Sequence, residues 1–157
     1  MSIDAKQLRE LVIRPTLSYL ELWSEEAEDL LMGTAAQESH LGTYLMQLGG
    51  GPALGIFQME PATHKDILVN YLSYRKDLES KVGASDEAEG MVGNLYYATV
   101  MARIHYLRVP EALPNKSELS DTQYVQELAS YWKSYYNTPL GKGTVEEFIE
   151  NYRKYVK

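Results

Sequence analysis

Apolar residues return every three or four positions along most of this chain, which is the period of an amphipathic α-helix packed on one face. The clearest stretch follows Ser24. Ala27, Leu30, Leu31, Thr34 and Ala35 share one helical face, Ser24 is a natural N-cap, and Glu25 and Glu26 sit where the helix dipole favours negative charge. The pattern runs out near Glu38 and Gly42, so Glu38 is expected near the C-terminal end of a buried helix. With no cysteine in 157 residues, such a core must hold without disulfides or thiolate metal sites, and a chain of this length suffices for that.

Reading outward from that helix gives the rest. Leu8, Leu11 and Val12 predict a helix over 4–13, interrupted by Pro15. Gly49, Gly50, Gly51 and Pro52 force a loop, and Ala53 to Met59 is apolar but too short for a helix of its own. Pro61 suits the first turn of a helix running to about Tyr74. Asp86 and Glu89 resemble a capping box opening a strong helix through Leu107, with Ala88, Met91, Leu95, Ala98, Ala102 and Tyr106 on its core face. A helix over 121–135 and a loop over 137–143 follow. Thr144 and Glu147 form a second capping box, for a last helix with Phe148, Tyr152 and Tyr155 inside. The expectation is one all-α domain over 1–157, six or seven helices with minimal β-structure, and one irregular apolar segment near the middle.

Charge narrows the function classes. The formal net charge is −7 and no run of lysine or arginine stands out, which argues against nonspecific nucleic-acid binding. No segment reaches the roughly 20 apolar residues of a membrane span. His40, His64 and His105 lack HExxH-like spacing, so a zinc enzyme is not expected, and no motif implies another metal or an organic cofactor. The N-terminus has no basic start followed by an apolar run, so no secretory signal is read there.

Three segments carry candidate chemistry. In Gln37-Glu38-Ser39-His40-Leu41-Gly42 a carboxylate stands where an apolar helix face meets a loop. Lost hydration raises the pKa of such a carboxyl, which suits a general acid near neutral pH. In Ala53-Leu54-Gly55-Ile56-Phe57-Gln58-Met59-Glu60-Pro61-Ala62-Thr63-His64, an amide, Gln58, sits within an apolar run and needs a polar partner. Tyr135-Tyr136-Asn137-Thr138-Pro139-Leu140-Gly141 offers a phenol and an amide beside a loop. Each alone reads as well as a helix end, a boundary residue or a turn.

Together the segments resemble the soluble lytic transglycosylases. Glu38-Ser39, then Gly55-Ile56-Phe57-Gln58, then Pro61-Ala62-Thr63 are similar to that family's E-S, G-L-M-Q and P-A-T signature, and Tyr136-Asn137-Thr138-Pro139 to its Y-N-A-G motif. Asn94 opening a long helix fits a weaker family feature. Glu38-Ser39-His40-Leu41-Gly42 is also similar to the E-S-H-x-G of goose-type lysozymes, which share the lysozyme-like fold. The resemblance spans residues 25 to 155 in order. Phe57 departs from the usual Met, Thr138-Pro139 from Ala-Gly, and Glu60 from an apolar residue that becomes a carboxylate in goose-type lysozymes.

The resemblance implies cleavage of the β-1,4 bond between N-acetylmuramic acid and N-acetylglucosamine in peptidoglycan, with Glu38 as acid. In a transglycosylase Glu38 then acts as base while the sugar closes a 1,6-anhydro ring. In a goose-type lysozyme a second carboxylate, here Glu60, positions water. Tyr136 is expected to hold Glu38 by a hydrogen bond, Gln58 to bond the sugar, Asn137 to fix the loop or a sugar, and Ser39 to orient backbone or substrate. Met46, Phe57, Tyr96 and Tyr97 are candidates for stacking on sugar rings. A noncatalytic virion or glycan-binding protein and a chitin-directed enzyme are the competing readings. The size and the unread signal suggest a bacteriophage product. It would be an endolysin released from the host cytoplasm by a holin, or a virion enzyme among other virion proteins, acting on cell-wall peptidoglycan.

Overall fold

The computed structural model describes residues 1–157 apart from 84–86 and 139. The chain is mostly helical with almost no strand. In chain order the α-helices are α1 (Ala5–Gln7), α2 (Arg14–Tyr19), α3 (Glu25–Ser39), α4 (Pro61–Asn70), α5 (Lys76–Val82), α6 (Gly90–Gly93), α7 (Leu95–Leu107), α8 (Asp121–Trp132) and α9 (Val145–Asn151). Among the described residues, extended pairing is confined to two isolated antiparallel bridges, Met46 with Leu54 and Leu54 with Met59. None of the helices is long and apolar enough to cross a membrane, among the described residues.

Helix α3 is the centre of the molecule. Ser24 caps it by accepting from the Ala27 amide at 3.0 Å, and every residue from Ala27 to Ala36 is buried. The expected apolar face is therefore only part of what the core takes in. Helices α7, α8 and α9 pack around α3. At Gly33 a Cβ would lie 2.4 Å from Phe148 Cζ, so α9 seats its phenylalanine where α3 has no side chain. Thr34, also buried, donates to or accepts from Tyr106 of α7 at 2.8 Å, which satisfies two hydroxyls inside the core.

Pro15 does not interrupt the first helix. A π-helical segment, Leu8–Ile13, joins α1 to α2, and Pro15 falls in the first turn of α2. The wider turn sends the Arg14 amide back to the Arg9 carbonyl, and the Thr16 hydroxyl donates to Val12 O at 2.6 Å. The backbone groups that a proline disturbs thus find other partners. The wide turn also moves the buried stripe to Leu8, Ile13 and Leu17, leaving Leu11 69% exposed.

Three further boundaries differ from the sequence expectation. α4 ends at Asn70, where Tyr71 leaves helical geometry, and a 3-10 turn carries the chain to Tyr74. The long helix expected from the Asp86 and Glu89 pair is broken at Asn94, which is extended and caps α7 by accepting from the Tyr97 amide at 3.0 Å. Asp86 lies outside the described residues, and Glu89 precedes the short α6. A local Asn cap overrides the continuous apolar period there. The expectation for α9 agrees with the structure. Thr144 and Glu147 form a capping box, Phe148 and Tyr152 are buried, and Tyr155 is half-buried.

Candidate active site

Glu38 stands on the last turn of α3, and the way that helix ends decides what surrounds it. His40 and Leu41 take left-handed backbone conformations, with their amides donating to Ala36 and Ala35 carbonyls. The Ser39 hydroxyl then donates to Ile56 O at 2.7 Å and accepts from the Gly42 amide at 2.9 Å. Ser39 is fully buried, so it fastens the irregular 53–59 segment to the end of α3.

That segment is a tight loop closed on itself. Leu54 and Met59 exchange backbone hydrogen bonds at 3.0 Å, and Gly55 and Gln58 both have positive φ. A Cβ on Gly55 would lie 2.3 Å from the Met91 carbonyl oxygen, so close backbone approach as well as φ requires glycine. Ile56, Phe57 and Met59 point into the core, while Gln58 turns outward beside Glu38. The Gln58 amide nitrogen donates to Gly55 O at 2.8 Å, which leaves its carbonyl oxygen as an acceptor.

Glu38 opens on a cavity of about 500 Å³. Its lining comes from three stretches of chain: Tyr44, Gln47 and Leu48; Gln58 and Glu60; and Tyr136, Asn137 and the glycine-bearing turn Gly141-Lys142-Gly143. The Glu38 carboxyl is pushed up to about 7 by burial, against a hydrogen bond from the Trp132 indole that favours the charged form. Trp132 Nε1 donates to Glu38 Oε2 at 2.9 Å. The carboxyl is thus neutral in part at neutral pH, and its geometry is held by one fixed donor.

The sequence-read residues divide sharply. Glu38, Gln58, Glu60, Tyr136 and Asn137 meet at this cavity. Phe57 and Tyr97 do not, each being 1% exposed and in the core, Tyr97 sharing a 2.6 Å hydrogen bond with His64 Nε2. Tyr96 lies elsewhere, with its hydroxyl donating to Lys81 O at 2.6 Å and its ring against Tyr19. Met46 is exposed on the 44–52 loop and does not line the cavity. Ser39 orients backbone and offers nothing to a ligand.

Tyr136 takes a different partner from the one expected. Its hydroxyl donates to Phe57 O at 2.6 Å, and its ring packs against His105 and Tyr106. Burial pushes its phenol well above the ordinary range, so it stays a neutral donor. Trp132, one helical turn earlier, supplies the bond to Glu38 instead.

Glu60 occupies the N-cap position of α4 by backbone geometry, but its side chain makes no capping hydrogen bond. It is exposed and lines the same cavity as Glu38. Lys133 went unread in the sequence, and so did Trp132. The Lys133 ammonium donates to Asn137 Oδ1, Gly141 O and Gly143 O at 2.7–2.8 Å and so ties the Gly141-Lys142-Gly143 turn to Asn137. A lone Trp and a lone Lys on a predicted helix carry no signal beyond packing and solvation. Among the described residues no three His, Asp or Glu side chains gather as metal ligands would.

No family model matches this chain, and neither a curated protein nor a solved structure does.

Proposed function

We propose that the cavity around Glu38 cleaves the β-1,4 bond between N-acetylmuramic acid and N-acetylglucosamine in peptidoglycan strands, as a lytic transglycosylase. The observation that carries this reading is a carboxyl pushed up to about 7 at the edge of a 500 Å³ cavity with mixed polar walls. A carboxylic acid of that strength holds a proton near neutral pH and releases it to a departing glycosidic oxygen. The motif order from Glu38-Ser39 through Gln58 to Tyr136-Asn137 supports the same choice of substrate.

In this mechanism Glu38 protonates the bridging oxygen as the bond to the muramic C1 breaks. Positive charge spreads over C1 and the ring oxygen. The Glu38 carboxylate then takes the proton from the sugar's own 6-hydroxyl, whose oxygen closes on C1 to give the 1,6-anhydro product. The Gln58 carbonyl oxygen and the Asn137 amide supply polar contacts along the glycan, and Tyr136 fixes the Phe57 carbonyl that borders Gln58.

Hydrolysis is the second reading, and one observation favours it. Glu60 lines the cavity with its carboxylate uncommitted to capping. A second carboxylate at a suitable distance activates water in inverting enzymes.

Mass spectrometry of muropeptides released from purified peptidoglycan tests both, with Glu38→Gln as control. Products ending in 1,6-anhydromuramic acid are expected. Reducing-end products, heavier by one water, would replace transglycosylation with hydrolysis, and Glu60→Gln should then abolish them. Without a Glu38-dependent product, the enzyme reading for this substrate fails and glycan binding without cleavage takes its place.

A further inference from the structure

Two tryptophans occur in the chain, and each donates its indole N–H to a glutamate of α3. Trp23 serves Glu28, which belongs to an ion-pair cluster with Arg9 and Arg14. Trp132 serves Glu38, to which no cation is bonded among the described residues. Trp132 is itself clamped. It is wholly buried, its ring lies 5.4 Å from that of Phe148, and a Cβ on Gly143 would come within 2.6 Å of its Cη2. Gly143 is in turn held by the Lys133 ammonium through its carbonyl oxygen. The indole thus sits in a slot whose outer wall is the turn bordering the cavity.

We propose that Trp132 is the positioning residue of the acid: its fixed indole N–H occupies Glu38 Oε2, holds the carboxyl in one orientation, and leaves Oε1 to carry the proton that is delivered to substrate. Resting on the proposed role of Glu38 as acid, this assigns the orientation of that acid to a residue outside the motifs. A carboxyl free to rotate presents its proton in many directions, whereas one pinned at Oε2 presents it in one. The donor also stabilises the carboxylate formed after protonation of the leaving oxygen, when Glu38 must act as base. Trp132 touches no substrate and acts through Glu38.

The ionisable groups around Glu38 are the phenols Tyr44, Tyr106 and Tyr136, all raised by burial, with Glu60 and Lys142 along the cavity and His40 on the turn after α3. The two indole N–H signals separate these groups from Glu38 without any substrate. In a proton–nitrogen correlation spectrum, the Trp132 indole signal is expected to move with a midpoint near 7 between about pH 4 and about pH 9. The Trp23 signal should stay still over that range, because its partner Glu28 is held down to about 2. In Glu38→Gln the Trp132 signal should stop titrating. A flat Trp132 signal in the native chain, or a titration that persists in Glu38→Gln and so reports another group, overturns the proposal.

Trp132→Phe then separates positioning from packing. Loss of the donor should raise the alkaline limb of the pH–activity profile by roughly one unit and lower kcat with little change in KM. A fall in kcat by one factor at every pH, with the limb unmoved, would mean that the indole only fills space, and would overturn the assignment. Should that variant not fold, the titration of the native chain and of Glu38→Gln still decides. A titrating Trp132 signal alongside an absence of muropeptide products would instead reject the proposed reaction and keep the Trp132–Glu38 coupling.

Discussion

Glu28 and Glu38 stand on the same helix and each accepts a 2.9 Å hydrogen bond from an indole, yet one carboxyl is held down to about 2 and the other pushed up to about 7. Burial raises both. At Glu28 the hydrogen bonds from Arg14, Trp23 and Arg9 outweigh it. At Glu38 the indole stands alone against desolvation and loses. One helix thus carries a structural carboxylate near its start and a proton-bearing carboxyl at its end, separated by their cationic surroundings.

The Glu38 shift has a stability consequence. Its folded pKa lies above the unfolded value, so the stability it contributes is complete below about pH 4.5 and is lost as pH rises through about 7. Glu38→Gln removes that loss. The variant should be more stable than the native chain at pH 8, by at most about 3 kcal/mol, and gain nothing of this kind at pH 4. Urea unfolding at the two pH values checks it; a variant destabilised at pH 8 would contradict a buried, uncompensated carboxylate.

Glu28 runs in the opposite sense. Its depressed pKa means that the contribution is present above about pH 4.5 and disappears as pH falls through about 2. Glu28→Gln leaves Arg14 facing a neutral amide while Arg9 keeps its pair with Asp29, and should cost about 1–2 kcal/mol at pH 7. The gap between native and variant stability should close on acidification, as thermal unfolding across that range would record.

Gly55→Ala tests the loop that aims Gln58. Alanine at φ +80 is strained, and its Cβ would press within 2.3 Å of the Met91 carbonyl oxygen. A destabilisation of about 2–4 kcal/mol is expected in a denaturant melt. Gly49→Ala is the control: its φ is also positive but nothing lies within 4 Å, so the cost should be roughly 1 kcal/mol.

Lys133→Met removes three hydrogen bonds that hold Asn137 and the Gly141-Lys142-Gly143 turn while keeping the aliphatic stem. Limited proteolysis should then cut within that turn faster than in the native chain. The indole signal of Trp132 should broaden, since Gly143 is the outer wall of its slot. Unchanged proteolysis would mean that the turn holds its shape without the ammonium.

Glu38 could be read as a helix-end carboxyl from local sequence because the evidence for it is local: a Ser24 cap, an apolar period and glycine after it. The same holds for the Thr144–Glu147 capping box and for the loop forced by Gly49, Gly50 and Gly51. These are properties of a few neighbouring residues, and the chain states them outright. What tertiary structure decided is every partner across the fold. Trp132 reaches Glu38 from 94 residues away, and Tyr136, the nearer candidate by motif, is drawn to the Phe57 carbonyl. Phe57 turns inward and Gln58 outward because Gly55 bends the loop against Met91. Glu60 joins the cavity because its side chain leaves the helix amides unbonded. Each outcome is a competition among donors, acceptors and volumes brought together by packing, and no local pattern encodes which of them wins.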